Sequence, residues 1–148
     1  MDNIAILKMN ISDLDKIAPI LLTEFDDFWS VDVFKSELLN PNSKYLVAKK
    51  ENEIIGFAGI WKAVDDIHIT NIVVKKSFRN KGIGSIILKQ LIEISKLEKN
   101  INSITLEVNI KNVPAQKLYE KFGFENVGIR KKYYNNMDDA IIYTKYFN

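Results

Sequence analysis

The stretch SFRNKGIGSIIL, residues 77–88, connects a β-branched run to a segment whose apolar residues recur at helical spacing. Two glycines, Gly82 and Gly84, stand one residue apart in it. Because glycine lacks a Cβ, a backbone that contains it can approach a ligand closely. The N-terminus of the following helix would favour an anion through its unpaired N–H groups and its dipole. The stretch is typical of a phosphate-holding turn, although a plain strand-to-helix connection with solvated lysines has the same pattern.

Two common nucleotide-binding fingerprints fail at this turn. A Walker loop needs G-x-x-x-x-G-K followed by Ser or Thr, and the chain has no such string. The dinucleotide fingerprint needs a third glycine where Ile87 stands, and an acidic residue about 20 residues further on is missing from residues 101–103. Four basic side chains still favour an anionic ligand by adding positive charge around the turn: Lys75, Lys76, Arg79 and Lys81.

Length and composition predict one globular domain over residues 1–148. Apolar residues make up 47% of the chain and charged residues 27%, as in an ordinary soluble protein. With 21 basic and 19 acidic residues, the formal charge is only +2, which does not favour direct nucleic-acid binding. The absence of cysteine excludes disulfides and thiolate metal sites, and with His68 as the single histidine we expect no metal and a packed strand histidine.

From its apolar pattern we expect neither a secretory leader nor a membrane span in this chain. Its first residues carry acids and lack the apolar core of a signal peptide. No apolar run approaches the roughly 20 residues that a spanning helix needs. We expect a cytoplasmic protein with no membrane partner.

The periodicity of apolar residues predicts the order β-α-α-β-β-β-α-β-α-β-β, which fits an α+β fold with a mixed sheet flanked by helices. Pro19 is expected to kink or divide the first helix. Ser12 with Asp15 resembles a capping box, and Ser30 is a candidate N-cap of the second helix.

The turn also fits a wider pattern. Val74, then four residues, then Arg79 and the two glycines match V-x-x-x-x-(R/Q)-x-x-G-x-(G/A). On these residues the chain resembles the GNAT superfamily of N-acetyltransferases. The resemblance implies the acyl-CoA N-acyltransferase fold, with a mixed, mostly antiparallel sheet, and acetyl-CoA as cosubstrate. It implies that donor-binding residues are Ile72, Val73, Val74, Arg79, Asn80, Lys81, Gly82, Ile83, Gly84 and Ser85.

Four further segments resemble the RimI-type branch, the ribosomal-protein-alanine N-acetyltransferases. They are FWSVDVFKSELLNPNSKYLVA (28–48), IIGFAGIWKAVDDIHITNIVV (54–74), ITLEVNIKNVPAQKLYEKFGF (104–124) and IRKKYYNN (129–136) with DDAIIY (138–143). The branch implies transfer of acetyl to the N-terminal α-amine of a protein, expected to be the N-terminal alanine of a small-subunit ribosomal protein. The chain departs from the branch at Phe28, Asn109 and Lys111, positions that bear on peptide preference.

Two residues are candidates for proton transfer. Glu107 stands between Leu106 and Val108, so by pattern it is either a solvent-facing residue of an alternating strand or a functional acid. The resemblance implies that Glu107 is the proton acceptor. Tyr119 lies on the apolar face of a predicted helix and by itself reads as a core tyrosine. The resemblance implies that Tyr119 protonates the CoA thiolate.

The remaining site expectations concern the helix that contains Tyr119 and the acceptor. Asn112 is a candidate cap of that helix, and Gly123 a candidate left-handed residue at its end. The resemblance implies that Asn112 also contacts CoA, that the oxyanion is bound by backbone N–H groups near Ile72 and Val73, and that three aromatic residues flank the acceptor: Trp29, Tyr133 and Tyr134.

Two alternative functions remain open. One is a GNAT enzyme that acts on a small-molecule amine or on lysine. The other is a CoA-binding interaction module without catalysis, against which the presence of both Glu107 and Tyr119 argues.

Overall fold

The computed structural model describes residues 3–25, 30–131 and 138–147. The strands are β1 (Ile4–Lys8), β2 (Ser43–Lys50), β3 (Glu53–Ala63), β4 (Asp66–Val74), β5 (Ser103–Asn109), β6 (Glu125–Arg130) and β7 (Ala140–Tyr146). The α-helices are α1 (Ile11–Ile17), α2 (Leu21–Glu24), α3 (Val31–Leu39), α4 (Ile83–Lys96) and α5 (Val113–Lys121). Short 3-10 turns occupy Ala18–Ile20 and Lys76–Phe78.

The strands form a seven-stranded sheet with neighbours in the order β1-β2-β3-β4-β5-β7-β6. β4 and β5 pair in parallel, whereas the pairs β1–β2, β2–β3, β5–β7 and β6–β7 are antiparallel. The predicted element order and the mixed, mostly antiparallel sheet flanked by helices are confirmed.

The chain divides into two compact units. The first unit comprises Met1–Trp61 with Thr70–Leu91, and the second comprises Lys62–Ile69 with Ile92–Asn148.

The core of the first unit forms around three aromatic rings. Phe34 of α3 lies 5.3 Å, between ring centroids, from both Tyr45 of β2 and Phe57 of β3. Each of these side chains is at most 3% exposed, and burial of a side chain of this size contributes about 1.5–3 kcal/mol. The rest of this cluster consists of Met9, Leu14, Ile17, Leu21, Phe25, Val47, Ile54 and Val73.

The Tyr45 ring occupies space that only a glycine at position 59 leaves open. Tyr45 and Gly59 face each other in the β2–β3 register. A Cβ on Gly59 would lie 2.3 Å from two atoms of the Tyr45 ring, well inside van der Waals contact. The absence of a side chain at Gly59 therefore permits the central aromatic packing of this unit.

The predicted helix boundaries in the first unit are partly correct. Ser30 caps α3 by accepting a hydrogen bond from the Val33 N–H at 3.2 Å. Pro19 divides the first helical segment, because α1 ends at Ile17 and α2 begins at Leu21.

The capping box of α1 lies two residues earlier than predicted. It consists of Asn10 and Asp13, not Ser12 and Asp15. Asp13 is 2% exposed and also pairs with Lys49 of β2 at 3.1 Å, so the buried carboxylate is satisfied from both sides. Ser12 lies inside the helix and donates its hydroxyl proton to Asn10 at 2.8 Å.

The second unit is organised by the alternation of side chains along β5. Ile104, Leu106 and Val108 are buried, whereas the residues between them are half-buried. Leu106 lies opposite Tyr143 and Glu107 opposite Ile142 in the register with β7. One face of β5 therefore joins an apolar layer, and the other face carries the polar side chains Ser103, Thr105, Glu107 and Asn109.

Across the described residues, no helix combines the length and apolar character needed to cross a membrane.

Substitution Gly59→Ala tests the packing of Tyr45. The added methyl must displace the ring, so we expect the free energy of unfolding to fall by about 1–3 kcal/mol, the usual cost of overpacking. Gly128→Ala is the matched control, since its Cβ would meet only Ile142 Cδ1 at 3.9 Å. Urea denaturation measures both variants, and equal stability of the two would contradict the prediction.

Candidate functional site

The glycine turn places a left-handed residue directly before α4. Gly82 has φ +82°, a region that L-residues rarely adopt. Its carbonyl accepts the Ile86 N–H at 3.2 Å, so α4 begins at Ile83 directly after it. A Cβ on Gly82 would meet no atom within 4 Å. The loop surface is open there, and the first N–H groups of α4 have no carbonyl one turn earlier in the helix.

Two basic side chains of the turn are held close to it. Arg79 donates from Nε to the Val74 carbonyl at 2.9 Å and thereby ties the turn to the end of β4. Lys81 Nζ lies 5.3 Å from the centroid of the Phe78 ring. Both charges therefore remain beside the N-terminus of α4, which suits an anionic ligand.

Lys75 does not add free positive charge to the turn, which corrects the sequence-based expectation. Its Nζ lies 2.8 Å from Glu53 and 3.3 Å from Glu24, and its side chain is 13% exposed. The hydrogen bond with Glu53 is the main cause that raises the pKa of Lys75, and Glu24 adds to it against an opposing effect of desolvation. The two carboxylates compensate the charge of Lys75, which links the end of β4 to α2 and β3.

The residues predicted to line the donor, Ile72–Val74, form the last part of β4. Val73 is 5% exposed and belongs to the aromatic cluster of the first unit. The parallel ladder between β4 and β5 covers Asp66–His68, so it ends before residues 72–74.

Glu107 lies in a nearly closed environment, so the solvent-facing interpretation is wrong. Its side chain is 8% exposed, with Oε1 3.7 Å from His68 Nε2 and Oε2 3.4 Å from Arg130 Nε. Oε2 is buried and has no hydrogen-bond partner among the described residues. Glu107 is thus a largely buried acid with a histidine and an arginine beside it.

Tyr119 packs on the opposite side of the β5–β7 pair from Glu107. Its ring centroid lies 5.9 Å from that of Phe124 and 6.2 Å from that of Tyr143. Tyr143 is paired with Leu106, so it shares the buried face of β5, and Glu107 points to the other face. The structure therefore brings the two candidate proton-transfer residues to one strand pair but not to one face.

The helix that carries Tyr119 has the predicted ends. Asn112 caps α5 by accepting the Ala115 N–H at 3.2 Å. Gly123 follows the helix with φ +90°. The cap is confirmed, whereas contact of Asn112 with CoA stays a prediction.

The candidate acceptor residues Trp29, Tyr133 and Tyr134 lie outside the described residues. Within the described ranges, no cluster of three or more potential metal ligands occurs.

Sequence reasoning missed the neighbours of Glu107 and the partner of Tyr143. His68 was expected only to pack in its strand, and Arg130 had no assigned role. Tyr143 is 1% exposed and donates its hydroxyl proton to Glu120 at 2.8 Å. Burial is the main cause that raises the pKa of Tyr143 to about 12, and the hydrogen bond that Tyr143 donates to Glu120 adds to it. No local motif signals these contacts, because each joins residues from different elements.

Comparison with known proteins finds a family that matches most of the chain. Residues 13–124 match the Acetyltransferase (GNAT) family. A candidate ribosomal protein bS18-alanine N-acetyltransferase of Bacillus subtilis strain 168 is 41% identical over 140 residues, which cover 93% of this chain and 92% of that protein.

Two solved structures are similar over nearly the whole chain. The ribosomal-protein-S18-alanine N-acetyltransferase from Escherichia coli is 27% identical with a TM-score of 0.85, covering 97% of this chain and 93% of that one. A GNAT family acetyltransferase from Elizabethkingia anophelis with acetyl-CoA bound is 26% identical with a TM-score of 0.78, covering 99% of this chain and 100% of that one.

The Tyr143–Glu120 hydrogen bond predicts a loss of stability at alkaline pH. The folded-state pKa of Tyr143 is raised, so its contribution is fully present below the unfolded value of 10 and is lost as the pH rises toward 12. Tyr143→Phe is expected to reduce the free energy of unfolding by about 1.5 kcal/mol at pH 8. The difference between wild type and variant should shrink between pH 10 and 12 in urea titrations.

The control for that experiment is Tyr146→Phe, whose side chain is 59% exposed. A pH-independent difference between wild type and Tyr143→Phe would contradict the prediction.

Proposed function

This chain belongs to the GNAT acetyltransferase family, and we propose that it acetylates the N-terminal α-amine of a protein, with the N-terminal alanine of ribosomal protein bS18 as the expected acceptor. The chain is an acetyl-CoA-dependent N-acetyltransferase, so acetyl-CoA is the donor. The nearly full-length similarity to bS18-alanine N-acetyltransferases is the observation that carries the choice of acceptor. A ribosomal acceptor would place the proposed activity in the cytoplasm.

The environment of Glu107 supports its role as the general base. An α-amine has a reference pKa of about 7.7–8.0, against about 10.4 for lysine. A terminal amine is therefore partly neutral near pH 7, and a carboxylate that accepts one proton, directly or through water, completes its activation. The neutral nitrogen attacks the thioester carbonyl, the C–N bond forms, and the proton leaves toward Glu107.

The chemistry of its phenol suits Tyr119 for the proposed role of general acid. Collapse of the tetrahedral intermediate breaks the C–S bond and releases CoA thiolate, which needs a proton. A phenol with a reference pKa near 10 is protonated at pH 7 and can donate one.

The open turn at Gly82 is the proposed holder of the donor's pyrophosphate. Backbone N–H groups at the start of α4 would bind its oxygens, with positive charge from Arg79 and Lys81 beside them. We propose that backbone N–H groups near Ile72 and Val73 stabilise the oxyanion, which forms at the carbonyl oxygen of the thioester, by donating hydrogen bonds to it.

A substrate panel tests the proposed acceptor. Purified protein with acetyl-CoA is mixed separately with a peptide that begins with alanine, the same peptide blocked at its N-terminus, a blocked peptide that contains lysine, and spermidine. We expect thiol release with the free N-terminal alanine and little with the other three. Release only with spermidine or with the lysine peptide would overturn the proposal, and release with none would favour a non-catalytic CoA-binding module.

Two substitutions test the proton-transfer roles. Glu107→Gln removes the base and Tyr119→Phe removes the acid, and each is expected to lower kcat about a hundredfold or more. Glu125→Gln, an exposed acid on β6, and Tyr146→Phe are the matched controls and should retain activity. Unchanged rates in the first two variants would refute the assigned roles.

Substitution Gly82→Ala tests the donor-binding turn. The protein itself has room for the methyl group, so the cost to stability is limited to the left-handed backbone, about 1–2 kcal/mol. A donor bound against the turn would meet the new Cβ, so we expect the KM for acetyl-CoA to rise much more than the KM for the peptide. The KM for the peptide is the internal control, and an unaltered acetyl-CoA KM would remove the turn from the donor site.

A further inference from the structure

We propose that Arg130 is a positioning residue for the reaction: its guanidinium lies against the Glu107 carboxylate, compensates its charge and fixes its orientation. This inference rests on the proposed function, in which Glu107 is the base. It adds a residue of β6 that the sequence patterns and the mechanism above leave without a role.

The exposures of the two side chains differ in the way that such a role requires. Glu107 is 8% exposed, and its Oε2 is buried without a hydrogen bond among the described residues. A carboxylate in that position loses much of its hydration and needs a nearby positive charge. Arg130 is 54% exposed, with Nε 3.4 Å from Oε2, so its guanidinium supplies that charge while it keeps most of its own hydration.

A β-bulge aims Arg130 at Glu107. Asn126 lies opposite Tyr143 and Gly128 opposite Ile142, so Val127 is an extra residue between two successive pairs. Ile142 also lies opposite Glu107 on β5. Because paired residues share a face, position 128 and position 130 lie on the Glu107 face. Without the extra residue, Ile129 would take that face and Arg130 would point away, so the bulge redirects this side chain.

A local hydrogen bond supports the bulge. The Asn126 side-chain oxygen accepts the Gly128 N–H at 3.0 Å. This bond spans the extra residue and satisfies a donor at the point where the β6–β7 register shifts. The geometry of the base therefore depends on a turn-like contact in the edge strand.

The other charged groups of these strands do not offer Glu107 a constant positive charge, because one is a histidine and the others are acids with partners of their own. His68 Nε2 lies 3.7 Å from Oε1 and is charged only when protonated. Asp66 of β4 accepts the hydroxyl groups of Ser103 and Thr105. The Asp138 carboxylate accepts a hydrogen bond from the side-chain amide of Asn109, and it forms an ion pair with Lys111 Nζ at 3.0 Å. Arginine keeps its charge at every pH at which an enzyme works, so Arg130 is the permanent cation of the Glu107 environment within the described chain.

A double-mutant cycle tests whether Arg130 acts through Glu107. Arg130→Ala is expected to lower kcat about tenfold, a coupling typical of charged residues in contact, with the KM for acetyl-CoA unchanged. Arg130→Lys should restore part of kcat. In the Glu107→Gln background, Arg130→Ala should cause no further loss, since the charge that it compensates is gone.

The matched control is Lys131→Ala, which removes the next cation in the sequence. Lys131 is 81% exposed and lies 3.8 Å from Asp139, so kcat should be retained. Asn126→Ala leaves both charged side chains in place and removes only the bulge hydrogen bond; we expect it to lower kcat in the same direction but less. Thermal unfolding of every variant identifies losses of activity that come from misfolding. If Arg130→Ala does not fold, Arg130→Lys and Asn126→Ala take its place in the test.

The outcomes separate the two proposals. Losses that add fully in the double variant, or an equal loss in Lys131→Ala, would overturn the role of Arg130 and leave the proposed function standing. Full activity of Glu107→Gln would overturn the base assignment, and the role of Arg130 with it.

Discussion

The antiparallel register between β5 and β7 is the constraint on which the second unit depends. It places Leu106 opposite Tyr143 and Glu107 opposite Ile142, so adjacent residues of one strand serve a core and a polar face. A slip of one residue would bury the Glu107 carboxylate in the apolar layer and expose Leu106. The buried aromatic contacts of Tyr143 with Tyr119 therefore help to define where the acid of the polar face lies. The same strand register therefore determines both the core packing of this unit and the position of the proposed base.

The bulge in β6 shows how a local irregularity can serve such a register. An unbroken ladder would direct apolar side chains, Val127 and Ile129, toward the carboxylate. The extra residue, Val127, shifts the alternation of side chains along β6 by one position. Arg130 is therefore directed toward the Glu107 carboxylate instead. Because β6 is the last strand in the sheet order, the change in pairing disturbs only one neighbouring strand. An edge position is where a sheet accommodates such a change most easily.

The glycine turn in the first unit combines backbone conformation with a selective distribution of charge. Gly82 supplies a left-handed residue directly before α4, and the space beside it is open. Of the basic residues near the turn, Lys75 is compensated by Glu24 and Glu53, whereas Arg79 and Lys81 lie beside the helix N-terminus. A count of lysines in the sequence therefore overestimates the charge available to an anion. One of those lysines anchors the end of a strand.

The sequence by itself determined the features that depend on neighbours in the chain. These are the order of the elements, the caps at Ser30 and Asn112, the left-handed glycine at Gly123, and the motif spacing that indicates an acetyltransferase. Tertiary structure decided everything that depends on partners distant in sequence. Asn10 and not Ser12 caps α1 because the buried Asp13 also pairs with Lys49. Glu107 is a buried acid because His68 and Arg130 reach it from two other strands. Strand register and a single bulge set those distances, and neither leaves a periodic signal in the sequence from which the contacts could be predicted.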